Sequence, residues 1–217
     1  MKRLAVTALA TGFAVVLVEA MLNLGPAAID LRIPVRENLA ESGVSHAVTA
    51  VLLNYRGYDT LLEVAVLLLA LVAVLTVTDE ADVAFPHMEH PVLQTLARLA
   101  TPLMTVVAVY LLWAGAFRPG GAFQAGSVLA AAAVLLHLVG LLPGWRSPRL
   151  PLRLGLVAGL LTFLAVATAM LARGALLEYP PSMAGGLILL IESVLTVSLA
   201  LILAGLFLLL SRDEGPS

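Results

Sequence analysis

Six long apolar runs govern what this chain can become: Leu4–Leu24, Thr60–Thr78, Leu96–Ala116, Phe123–Leu142, Leu152–Ala172 and Ala184–Leu210. A helix crosses the hydrocarbon core of a bilayer with about 20 apolar residues, in a range of about 17–25. Each run predicts such a helix, so the expected fold is an all-α integral membrane bundle of about six transmembrane helices. The last run is long enough to tilt or to continue past the interface. Composition agrees: 61% of the 217 residues are apolar and 12% charged, against about 45–50% and about 25% in soluble domains. A net charge of −2 without a basic cluster gives no footing for nucleic acid. Cysteine is absent from the sequence, which excludes disulfides, thiolate metal sites and cysteine nucleophiles; no cofactor is expected. Val18-Glu19-Ala20 faintly resembles a signal-peptidase site, but the apolar run continues beyond it and reads better as a span.

Lysine and arginine set orientation. Lys2, Arg3, Arg98, Arg146, Arg149, Arg153 and Arg212 fall on one side of the expected spans, and Arg32, Arg36, Arg56, Arg118 and Arg173 on the other. This excess, concentrated in the short Arg146–Arg153 loop, places both termini in the cytoplasm. Residues 1–78 hold two spans joined by a long polar connection, Gly25–Tyr58. Residues 79–91 read as an acidic, proline-containing linker, and residues 92–217 as a four-span module. Within the connection, His46–Asn54 reads as a short amphipathic segment with Ala47, Val48, Val51 and Leu52 on one apolar stripe. An extended or re-entrant piece fits the same residues.

A carboxyl group inside hydrocarbon is costly, roughly 2.5–3.5 kcal/mol at a helix centre on insertion scales. It persists where it faces protein, water or a cation. Glu19 lies near the outer end of the first run, Glu63 in the first turn of the second, and Glu192 about two turns into the last. The topology puts all three in the outer half of the membrane. Glu19 could equally reach the interface, and Glu63 could be a helix-start carboxylate beside an Asp59 or Thr60 N-cap. Glu192, among Leu189, Leu190, Ile191 and Val194, has the strongest case for a functional or inter-subunit role. His137, among Leu135, Leu136 and Leu138, fits either a proton relay or a hydrogen bond to a neighbouring helix. His87, Glu89 and His90 lack the further ligands a zinc site needs, so no metal site is expected.

Two polar segments open apolar runs: Arg56-Gly-Tyr-Asp-Thr-Leu-Leu-Glu63 and Arg118-Pro-Gly-Gly-Ala-Phe-Gln-Ala-Gly126. In the second, Pro119 fixes φ, Gly120 and Gly121 permit a tight turn, and Phe123 starts a helix. The Gly-Lys-Ser/Thr ending of a phosphate loop is missing. Close backbone approach is the better reading, followed by a small-residue face at Ala125, Ser127 and Ala130–Ala133 for helix packing.

On these residues, 92–210 resemble the B subunit of Mrp-type (multiple resistance and pH) sodium/proton antiporters. The resemblance is carried by Arg98 with Pro102, the Arg118–Gly126 segment, and Ile191-Glu192 followed by Leu195-Thr196-Val197. The family's turn reads Pro-Gly-Gly-Gly-Phe-Gln-Gly-Gly; Ala122 and Ala125 stand here for two of its glycines. Residues 28–78 resemble the C-terminal part of the A subunit of the same complexes, which occurs as a separate small subunit in membrane-bound hydrogenases. Asn54-Tyr-Arg-Gly-Tyr-Asp-Thr60 with Glu63 carries that likeness, and Asn54 stands where the pattern has an acidic residue.

The resemblance implies a non-redox membrane subunit that contributes to a sodium or proton path and to assembly. Its implied partners are other antiporter subunits (large A- and D-like, small C-, E-, F- and G-like), membrane lipid, sodium ions and protons, in the cell (inner) membrane. Glu63 and Glu192 match positions that such complexes keep acidic; Glu19 and His137 are further candidates for the path. Arg56, Gly57, Asp59, Thr60, Arg118, Pro119, Gly120, Gly121, Phe123 and Gly126 are expected as structural supports at its outer mouth. A carboxyl group held in low dielectric can alternate between a proton and a hard cation such as sodium. Two alternatives share the residues: the equivalent subunit of a membrane-bound hydrogenase or related respiratory complex, and a scaffold that only packs larger subunits. No catalytic residue is expected.

Overall fold

The structure is a computed structural model that describes residues 2–23, 25, 30–77, 90–142, 150–174 and 176–210. The chain divides into two units, Met1–Pro34 and Val35–Ser217. The first holds α1 (Lys2–Leu22), whose described side chains are exposed along its length. After it, the Asp30 carboxylate accepts bonds from the backbone N–H of Arg32 at 3.0 Å and from its guanidinium at 2.9 and 3.1 Å. That pairing opens α2 (Arg32–Glu37).

The second unit begins with a 3-10 turn at Leu39–Ser42, α3 (Ala47–Ala50) and a π-helical stretch, Val51–Tyr55. Five longer helices follow: α4 (Gly57–Val77), α5 (Pro91–Ala114), α6 (Ala122–Leu138), α7 (Leu150–Leu171) and α8 (Pro181–Leu210). Among the described residues there is no strand, and the all-α expectation is met. Each expected apolar run appears as a helix with its ends shifted by a few residues. Four of them, α4, α5, α7 and α8, are long and apolar enough to cross a membrane. The apolar part of α1, Thr7–Leu22, and α6 are shorter. Glu63 and Glu192 lie deeper in their helices than expected, because α4 begins at Gly57 and α8 at Pro181.

α8 is the axis of the second unit, with α4, α6 and α7 packed against it and α5 outside on α6. A helix that is apolar all round is a buried helix, and Ile188, Ile191, Leu195, Leu199 and Ile202 of α8 are fully enclosed. Lipid tails are as apolar as leucine, so helices in a membrane gain from close approach and hydrogen bonds. Both occur here. A Cβ at Gly126 of α6 would lie 3.0 Å from Leu199 Cβ and 3.2 Å from the Thr196 carbonyl, and one at Gly159 of α7 would lie 2.8 Å from Ser198 Cβ. Ser198 donates its hydroxyl to the Leu156 carbonyl at 2.6 Å.

The expected small-residue face of α6 is corrected. On α6 the buried small residues are Ala122, Ala125, Gly126, Ala130 and Ala132, whereas Ser127 and Ala131 are exposed, so the small-residue face is narrower than expected. In the 46–54 segment the buried residues are Thr49, Ala50 and Leu53, and the expected stripe residues Val48 and Leu52 are exposed. Ala47, Val48, Val51 and Leu52 thus share the outward face, and the buried residues lie on the other; a wider turn follows at Val51–Tyr55, closed by Arg56 N–H to Val51 O at 2.8 Å. The segment is helical rather than extended. Nearly all of the 79–91 linker, with His87 and Glu89, lies outside the described residues, as do Arg146, Arg149 and Arg212.

Gly159→Leu is expected to lower the thermal unfolding midpoint of the detergent-solubilised chain, overpacking costing about 1–3 kcal/mol. Gly186→Ala, where a new methyl group meets nothing within 4 Å, should leave it unchanged or slightly higher. Melting curves of the two variants beside the parent check this.

Candidate functional site

The glycine-rich turn between α5 and α6 is the first wall of the site. The Gly121 N–H donates to the Leu111 carbonyl at 2.8 Å and the Arg118 N–H to the Ala114 carbonyl at 2.8 Å, folding the turn back over the end of α5. Crowding explains its composition. A Cβ at Gly115 would lie 2.7 Å from the Gly121 Cα, and one at Gly120 would strike the Leu111 carbonyl. Gly121 has φ +103° and caps α6, its carbonyl accepting the Ala125 N–H at 3.1 Å.

α8 delivers Glu192 to this turn. Its side chain is 4% exposed, and its Oε1 accepts the Ala122 N–H at 3.3 Å. A buried carboxylate is costly unless hydrogen-bonded; here it meets the positive end of a helix macrodipole. A Cβ at Gly121 would stand 2.5 Å from Oε1, so the glycine makes the room that the carboxylate occupies. One turn later Thr196 donates its hydroxyl to the Glu192 carbonyl at 2.8 Å.

The segment before α4 forms the facing wall, bound to the α5–α6 turn by its backbone. The Ser45 and His46 N–H groups donate to the Ala116 carbonyl at 2.9 and 3.1 Å. Thr49 donates its hydroxyl to the Gly115 carbonyl at 2.5 Å, and His46 Nδ1 lies 3.2 Å from Thr49 Oγ1. Thr60 donates to the Leu52 carbonyl at 2.6 Å, tying the π-helical stretch to α4. Asn54, where the resemblance has an acidic residue, donates to the Ser42 carbonyl at 3.0 Å and so serves the local fold.

These walls enclose a cavity of about 500 Å³. Thr60 and Glu63 line it from α4, Pro119, Gly120, Phe123 and Gln124 from the turn and α6, His46, Thr49 and Leu52 from the facing segment, and Glu192 from α8. Glu63 is exposed while Glu192 is buried, so the cavity joins an accessible carboxyl group to an enclosed one across a mostly apolar lining.

The other candidates are placed elsewhere. Glu19 is exposed on α1 of the first unit; the cavity is built by the second unit alone. His137 is buried in the last turn of α6, 15 residues and about 22 Å along the helix from Ala122. Arg56 and Asp59 pair with each other at 2.5 Å, both more than half exposed, which contributes little to stability. Asp59 and Thr60 lie inside α4 and do not cap it. Gly57 is buried against Leu177, Arg118 is exposed, and Gly126 serves the contact with α8. Among the described residues no group of three His, Asp or Glu side chains is arranged to hold a metal ion.

Sequence reasoning missed His46, Thr49 and Gln124. The histidine with a threonine three residues on was the available signal, but the bonds that orient them come from a turn some seventy residues away.

Gly121→Ala is expected to destabilise the unit by about 1–3 kcal/mol, through its left-handed φ and the displaced carboxylate. Glu192→Gln, whose side-chain oxygen can still accept the Ala122 N–H, should cost less than Glu192→Leu. Thermal unfolding of the three variants gives the order.

Residues 92–210 match the model of a domain related to the MnhB subunit of Na+/H+ antiporters. Among curated proteins none matches the sequence. The fold is similar to a chain of the membrane-bound sulfane sulfur reductase, an archaeal respiratory membrane complex, at 24% identity and a TM-score of 0.74 over 98% of this chain and 99% of that one. It is also similar to a chain of the Mrp complex from Dietzia sp. DQ12-45-1b, at 23% identity and a TM-score of 0.65; the match covers 98% of this chain and 26% of that longer one. With a family match over more than half its length and four helices able to cross a bilayer, the chain is a multi-pass membrane protein that belongs to the MnhB-related family of Na+/H+ antiporter subunits.

Proposed function

We propose that the chain is a non-redox subunit of a multi-subunit cation/proton antiporter of the cell membrane, and that the Glu63–Glu192 cavity is part of its sodium or proton path. The observation that carries the reading is the cavity itself. Two carboxyl groups from different helices line one space, one exposed and one enclosed against the α6 N-terminus. Pure packing has no need of a 500 Å³ space lined by two glutamates, whereas carboxylates in low dielectric are groups that mark cation and proton pathways.

In this reading residues 28–78 correspond to the C-terminal part of an antiporter A subunit and 92–217 to a B subunit, with both termini cytoplasmic and six spans in all. Support comes from the match to the Mrp complex chain, which spans 98% of this chain and so extends well beyond residues 92–210. Large A- and D-like and small C-, E-, F- and G-like subunits are the proposed partners. The glycine turn, Thr60 and the Arg56–Asp59 pair hold the outer mouth.

A second reading places the same path in a respiratory complex, where electron transfer in partner subunits drives it. The full-length similarity to a chain of an archaeal respiratory complex favours it. The subunits that co-purify in mild detergent separate the two, hydrogenase-like or iron–sulfur partners supporting the second.

The purified chain alone is expected to transport nothing. In vesicles carrying the intact complex, Glu63→Ala and Glu192→Ala should each lower sodium/proton antiport several-fold per assembled complex. Full antiport in both variants would overturn the ion-path reading.

A further inference from the structure

The bonds around His46 assign it a proton. The Thr49 hydroxyl has one hydrogen, and it is given to the Gly115 carbonyl at 2.5 Å. At the 3.2 Å contact between Thr49 Oγ1 and His46 Nδ1 the hydroxyl oxygen is therefore the acceptor, and Nδ1 carries the hydrogen. Neutral imidazole has one N–H and one lone pair, which leaves the lone pair on Nε2. Among the described residues Nε2 makes no protein hydrogen bond. The backbone beneath the ring is also anchored, since the His46 N–H donates to Ala116 O on the same turn that holds Thr49. A half-buried imidazole with a committed Nδ1–H and an open Nε2 thus lines the cavity that holds Glu63 and Glu192.

Resting on the ion-path reading, we propose that His46 is the proton-exchanging group of the cavity and makes proton and alkali cation mutually exclusive occupants. A proton taken from water onto Nε2 adds one positive charge to a space where a sodium ion would lie near two carboxyl groups. The sodium ion then leaves, and the charge of the cavity is unchanged. Imidazole is the side chain that exchanges protons near neutral pH, as such a competition requires. The titratable groups facing the cavity with it are Glu63 from α4 and Glu192 from α8. α3, the π-helical stretch and the α5–α6 turn place no other in the lining, and Arg118 of that turn is exposed outside it. His137, about 22 Å along α6 from the cavity end of that helix, is not needed.

The test is sodium-induced infrared difference spectroscopy of the purified intact complex near pH 6.5, with ring-15N-histidine labelling, beside the His46→Asn and Thr49→Val variants. Asparagine keeps a donor at the Nδ1 position and removes the titrating group. Sodium is expected to discharge an imidazolium band in the wild type that His46→Asn abolishes and Thr49→Val shifts. Apparent sodium affinity should fall between pH 8 and pH 6 in the wild type and fall by a smaller factor in His46→Asn. An absent band, or one that His46→Asn leaves in place, overturns the proposal. Where His46→Asn does not assemble, a band unmoved by Thr49→Val overturns it equally. If Glu63→Ala and Glu192→Ala both retain full antiport, the ion-path reading itself falls, whatever the imidazole does. If they are impaired and no imidazole band appears, only the role of His46 falls.

Discussion

One hydrogen bond organises the second unit: the Ala122 N–H to the buried Glu192 carboxylate. It joins the middle of the most enclosed helix to the first residue of α6. Both ends constrain the sequence. On the α8 side a carboxyl group replaces what would otherwise be another leucine. On the turn side Gly121 must lack a side chain, because a Cβ there would meet the carboxylate, and its φ of +103° suits glycine alone. The rest of the turn follows, with Gly115 and Gly120 allowing the chain to double back over α5.

Around that bond the unit is assembled with small residues and carbonyl-directed hydroxyls. Gly126 and Gly159 let α6 and α7 approach α8, while Ser198, Thr49 and Thr60 each spend their one hydroxyl hydrogen on a carbonyl of a neighbouring element. Such contacts suit a setting in which burial against lipid gives helices no preference for each other. They also explain why residues before and after the 79–91 segment belong to one unit. The Ser45–Thr49 stretch is hydrogen-bonded to Gly115 and Ala116, so the cavity exists only where both stretches of chain are present.

The helices were legible because apolar length is a local property; α4, α7 and α8 start or stop within a few residues of the expected runs. The gathering of Glu63, Glu192 and the glycine turn was partly legible, since a carboxyl group in an apolar run needs a reason and clustered glycines signal close approach. The π-helical stretch at Val51–Tyr55 was not, because it carries no compositional mark. Nor was His46: its significance rests on a tautomer set by Thr49 and by a carbonyl far along the chain. Glu19 and His137 show the converse, ionisable residues whose isolation in the sequence carried no information about which helix face they occupy.

In the proposed function, cavity, turn and carboxylate together serve as a passage for cations rather than a sealed joint between helices. The most direct test is a cryo-electron microscopy structure of the intact assembly in high sodium. The account predicts water or cation density between Glu63 and Glu192, continuous with one membrane surface. A partner side chain filling the cavity, with either glutamate locked to a fixed arginine or lysine and no water beside it, would contradict it.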